Sequence, residues 1–180
     1  MGKYSDLIDQ LNPNDKQNPP VYNALIDADG RAFRPLVRAL REHPDEDVRH
    51  DVAHILGERG HWKAIPYLID ALDDPSEYVR SDALRSIELI CFMDHDALNT
   101  WLDLEPDPIK FPWEPVPRPD PKTGKIDLDK MGEWFERHRI EPDPAVLAGN
   151  KRKVQHWWEV NRQFIEGNPE LDWKRRTSAR

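Results

Sequence analysis

The chain is expected to be all-α, a short α-solenoid of stacked helical hairpins with a proline-rich strap and a Trp-rich helical C-terminal cap. Three observations predict it. Two copies of one pattern, PLVRALREHPDEDVRHDVAHILGERG from Pro35 and PYLIDALDDPSEYVRSDALRSIELI from Pro66, align Pro35 with Pro66, Pro44 with Pro75 and Val48-Arg49 with Val79-Arg80 at a spacing of 31. A fixed period in this range marks repeated helical pairs, none of which can bury its apolar stripe alone. Within each copy the apolar residues recur at helical spacing. Beyond them, seven prolines between Glu105 and Pro121 interrupt the pattern before tryptophan-rich helical periodicity returns.

Each element follows from local signals. Tyr4, Leu7, Ile8 and Leu11 form one helical stripe that stops at Asn12-Pro13-Asn14, and Tyr22 to Asp27 reads as a short helix before the Asp29-Gly30 turn. The first repeat predicts a helix over about 31–43 with Phe33, Leu36, Val37 and Leu40 inward. Its second helix, over about 46–57, carries Val48, Val52, Ile55 and Leu56, with Gly57 and Gly60 as stop signals. In the second repeat Ile65, Leu68, Ile69 and Leu72, then Val79, Ala83, Ile87 and Ile90, repeat the scheme. Ala97, Leu98, Trp101 and Leu102 suggest one more helix. The prolines that follow remove amide donors and force extended backbone, and Phe111 and Trp113 suit a strap laid on the hairpins. Leu128, Met131, Trp134, Phe135 and His138 share a face, as do Val154, Trp157, Trp158, Asn161, Phe164 and Ile165, the latter read as the cap, with Asn161 bonding strap backbone. The expected division is 1–104 (N-terminal helices and repeats, clearest at 31–90), 105–127 (strap or linker) and 128–180 (cap with a basic tail).

Composition narrows the function. The formal charge of −8 argues against a nucleic-acid binder, which must neutralise phosphates. Residues 1–105 hold 11 Lys/Arg against 21 Asp/Glu, whereas residues 106–180 hold 15 against 13. An acidic repeat half would attract a basic partner, although a solvated surface has the same composition. One cysteine, Cys91, excludes an internal disulfide and suits a reducing compartment; its apolar neighbours suggest a buried thiol. No run approaches the roughly 20 apolar residues of a membrane span, so the expected setting is cytoplasmic, with no membrane partner and no cofactor.

The D-x-V-R run, the following L-G, and A-I-P-x-L-x-x-A-L-D-D with a second V-R resemble the short HEAT repeats of the phycobilisome-lyase type, over about residues 31–90. That resemblance implies that the first helix of each hairpin is convex and the second concave. It also implies that Arg49 and Arg80 are structural, pairing with a turn carboxylate such as Asp74.

On the second helices, the side opposite the core would present Asp47, His50, Asp51, His54 and Glu58, then Glu77, Ser81, Asp82, Arg85 and Glu88, and these are the candidate partner-binding residues. His50 and His54 lie one turn apart, so with Asp51, or Asp82 from the next repeat, they are also a candidate metal site. VRHD resembles the V-R-H-E repeats of deoxyhypusine hydroxylase, a di-iron enzyme, but the second repeat has Ser81-Asp82 in place of a His-acid pair. No phosphate loop or G-x-S-x-G nucleophile motif is present. The leading expectation is a non-catalytic protein-interaction module (adaptor, assembly factor or immunity-type neutraliser) that binds a basic partner on an acidic concave face. The alternatives are a metal-dependent or lyase-like enzyme of the HEAT-repeat type, and nucleic-acid binding through the basic tail.

Overall fold

Helices of the repeats begin at local signals, an aspartate cap in one and a first-turn proline in another. The computed structural model describes residues 2–11, 19–94, 96–105, 130 and 143–168. Helices α1 (Lys3–Ile8) and α2 (Pro19–Ile26) precede the first hairpin, α3 (Phe33–Glu42) and α4 (Glu46–Glu58). The second hairpin is α5 (Ile65–Asp70) and α6 (Glu77–Ile90), followed by α7 (Ala97–Leu102) and α8 (Pro144–Gly167). Short 3-10 turns, Gly30–Ala32 and Trp62–Ala64, lead into α3 and α5. Asp45 accepts from the Asp47 amide at 2.9 Å to start α4, and Pro66 sits in the first turn of α5, where no amide is needed.

The predicted inward residues are the core. Leu36, Leu40, Val52, Ile55, Leu56, Ile65, Leu68, Val79, Ala83, Ile87 and Ile90 are all buried, and Ile8 and Leu25 join them from α1 and α2. Helix α4 packs most extensively against α6, so the second helices of the two hairpins lie side by side. This is the arrangement a repeat stack requires. Arg59, at the end of α4, donates to the carbonyls of Leu25 (2.6 Å) and Ile26 (2.9 Å), capping α2 from a neighbouring element.

Two glycines have distinct work. Gly60 adopts φ 63°, the left-handed position after the end of α4. Gly57 is not the stop signal expected; it is helical and lies where α4 meets α6. A Cβ there would stand 2.5 Å from Ser86 Oγ and 3.0 Å from its Cα, and Ser86 is held by donating to the Ala53 carbonyl at 2.9 Å. Gly57→Ala should therefore lower stability by roughly 1–3 kcal/mol through overpacking, despite gaining about 1 kcal/mol of helix propensity. Chemical denaturation checks this, and Ser86→Gly in the same chain should restore most of the loss.

Helix α6 ends in a Schellman turn with an unusual occupant. Met93 N donates to Glu88 O (2.9 Å) and Phe92 N to Leu89 O (3.3 Å), and Phe92 takes φ 55° where glycine normally sits. A non-glycine residue there costs about 1–2 kcal/mol.

The chain divides into two compact units, Met1–Glu105 with Leu147–Arg180, and Pro106–Val146. The C-terminal helix thus belongs with the hairpins in space, unlike the linear three-part division. Val154, Trp158 and Ile165 of α8 are buried in the core cluster, as the cap reading requires. Lys151 reaches Asp73 at 2.6 Å and Asp70 at 3.7 Å across the second hairpin. Phe164 is 73% exposed, however, so the stripe is only partly core. Asn161 donates back to the Trp157 carbonyl at 2.8 Å, within its own helix; the strap backbone expected to meet it lies outside the described residues. Cys91 is half-buried, less enclosed than expected. The strap with Phe111 and Trp113, the face from Leu128 to His138 and the tail from Lys174 to Arg180 lie outside the described residues.

Candidate functional site

The turns between helices are closed by the two repeat arginines. Arg49 forms a fork on Asp74 (Nε to Oδ2 2.8 Å, Nη2 to Oδ1 2.9 Å) while its Nη1 donates to the His43 and Pro44 carbonyls. Arg80 donates to the carbonyls of Asp74 and Pro75 at the equivalent turn of the next hairpin. Both arginines are buried, and both are structural.

The side of α4 and α6 away from the core carries most of the predicted binding residues. Asp47, Glu58, Ser81 and Arg85 are exposed, and His50, Asp51, His54, Glu77 and Asp82 are partly so. Glu88 is the exception. It is 3% exposed, and its carboxylate accepts from the amides of Asp96 (3.1 Å) and Leu98 (2.9 Å), so it caps α7 and takes no part in the face.

His50 ties the two helices together. Its Nε2 lies 3.0 Å from Asp82 Oδ2 and its Nδ1 3.4 Å from Asp51 Oδ1. Hydrogen bonds to Asp51 and then Asp82 raise its pKa to about 10, against the opposing effect of burial. The imidazolium is therefore charged at neutral pH, and its contribution to stability is complete below the ordinary value of 6.5 and is lost as pH rises through about 10. Burial pushes the Asp82 carboxyl up, but His50 outweighs it and leaves the carboxyl below its usual range. Asp47 moves the other way, raised by burial and by the carboxylates of Asp45 and Glu46.

His54 faces a different partner, the Tyr22 hydroxyl of α2, at its Nδ1. Burial, then the charges of Asp51, Glu58 and Asp82, hold that hydroxyl protonated, which makes it the donor. The geometry gives His50, Asp51 and His54 other partners. Both nitrogens of His50 face carboxylates, His54 turns toward a phenol, and among the described residues no three His, Cys, Asp or Glu are grouped to hold an ion. Sequence reasoning missed Tyr22, whose contact with α4 crosses 32 residues, and Tyr78, whose ring meets His50 edge-on and is 52% exposed.

Residues 33–107 match the model for HEAT repeats. The paired helices lie within that match and are similar to HEAT repeats. A stretch of 68 residues is 34% identical to phycocyanobilin lyase subunit alpha from Picosynechococcus sp.; it covers 34% of this chain and 25% of that protein's length. Among the described residues, no helix is long and apolar enough to cross a membrane.

Proposed function

We propose that the inner sides of α4 and α6 form a non-catalytic docking surface for a basic segment of another protein, in a cytoplasmic adaptor, assembly factor or immunity-type neutraliser. The observation that carries this reading is the contrast across the two helices. The core side is closed by apolar residues, while the other side turns Asp47, Asp51, Glu58 and Glu77 to the surface with Arg85 among them. The His50 imidazolium offsets part of that charge and leaves an acidic excess. The Asp47 carboxyl is raised first by burial and then by the neighbouring charges of Asp45 and Glu46, and an incoming Lys or Arg would relieve that second part. HEAT repeats commonly mediate protein interaction, in keeping with this role.

The test is capture of partners at moderate salt, comparing the parent chain with Asp47→Lys/Glu58→Lys/Glu77→Lys. The parent should retain a stoichiometric basic protein, and the variant should bind it at least tenfold more weakly, about 1.4 kcal/mol. Its melting should be unchanged, since exposed charges contribute only about 0–1 kcal/mol each. Equal retention by both proteins would sink the reading. A lyase-like role has one observation behind it, the partial identity to a phycocyanobilin lyase subunit. Stoichiometric binding of phycocyanobilin by the same sample, with no protein retained, would favour it.

A further inference from the structure

The exposed stripe of α6 does not end with its charged residues. Tyr78, Ser81, Asp82 and Arg85 are followed on the same side by Leu89, and then by Phe92 just beyond the helix. Phe92 is 63% exposed, and it stands beside a cleft of about 560 Å³ whose described lining includes Trp101 of α7 and Trp157 and Phe164 of α8. Trp101 is 65% exposed. Four large aromatic side chains from three separate elements thus meet at one surface cleft, with Asn161 and Asn168 contributing polar groups. Buried Glu88 fixes the start of α7, so Trp101 is presented from a clamped helix.

Phe92 is the telling residue. It holds a left-handed backbone conformation, which glycine adopts at no steric cost, while presenting an exposed ring. Strain of this kind persists where the side chain has a use.

We propose that this cleft is the apolar half of the docking site, and that the partner segment carries a basic stretch and a large aliphatic or aromatic anchor. The rise along a helix puts the two about 15 Å apart, ten residues from Asp82 to Phe92. The inference rests on the docking reading and adds the second chemical element of the partner. Charge complementarity selects the basic end, and continuity along α6 places the anchor. An aromatic cluster beside a charged rim is the usual composition of an interface that concentrates its binding at a few residues.

The experiment uses fluorescein-labelled peptides and fluorescence anisotropy. One probe has four arginines, a five-residue Gly/Ser spacer and Leu-Trp-Leu; the control replaces Leu-Trp-Leu by three alanines. The anchored probe should bind the full chain at least tenfold tighter than the control. Phe92→Gly and Trp101→Ala should each remove that advantage and leave the control unaffected, while Phe92→Gly melts no lower than the parent. Equal binding of both probes, weakened for both by the triple Lys variant, would overturn the cleft and leave the acidic surface standing. Binding of neither probe would overturn both. Self-association in sedimentation that Phe92→Gly abolishes would assign the cleft to a second copy, and also overturn the proposal.

Discussion

Asp74→Ala is expected to unfold with about 3–5 kcal/mol less stability than the parent, the range for breaking one side of a buried ion pair. Asp74 accepts both arms of the Arg49 fork and the amide of Ser76 at the start of α6. Its removal strands a guanidinium whose side chain is 11% exposed, and frees an amide at a helix start. Because Arg49 belongs to the first hairpin and Asp74 to the turn of the second, the loss also uncouples neighbouring repeats. Denaturant titration measures it. A companion Arg49→Met/Asp74→Leu chain should recover part of the loss, since the cost lies mainly in the abandoned charge. A loss below about 1 kcal/mol would place the pair in the exposed class.

Trp158→Ala should cost a similar amount, about 3–5 kcal/mol, as truncating a buried aromatic does. Trp158 is 6% exposed and packs in the same cluster as Val154 and Ile165, so its removal opens a cavity beneath α8. Phe164→Ala, at a residue 73% exposed on the same helix, should stay within about 0.5 kcal/mol. Denaturation midpoints that failed to separate these two variants would refute the assignment of α8 as a cap seated through its Trp158 side.

The repeat was legible because its signals are local and duplicated. The spacing of 31, the turn prolines and the Val-Arg pairs predicted both hairpins, and even the Arg49–Asp74 pairing followed from the family resemblance. The exposure of this side of α4 was legible too, since helical geometry alone puts Asp47, His50, Asp51, His54 and Glu58 away from the core. What escaped depends on contacts distant in the chain. Glu88 sits at a position that looks exposed by periodicity, and only the arrival of the Asp96–Leu98 amides buries it. The partner of His54 is Tyr22, brought to it by α2 from 32 residues away. Asn161 also bonds the turn below, an option open to any helical asparagine. The Phe92 turn left no signal, because residues after a helix are read as left-handed from glycine or asparagine, and neither is there.

The smallness of the inner face has a kinetic consequence. Helices α4 and α6 have 13 and 14 residues. At a rise of 1.5 Å each is about 20 Å long, and neighbouring helices lie ~8–10 Å apart. Two such helices side by side offer about 400 Å², half of the ~800 Å² per partner that a stable complex buries. A partner held by that strip alone would come and go rapidly. Among related complexes the lifetime is set by the off-rate, so on the proposed docking reading the residues that close around an anchor would decide how long an encounter lasts, while the carboxylates would decide how often one begins.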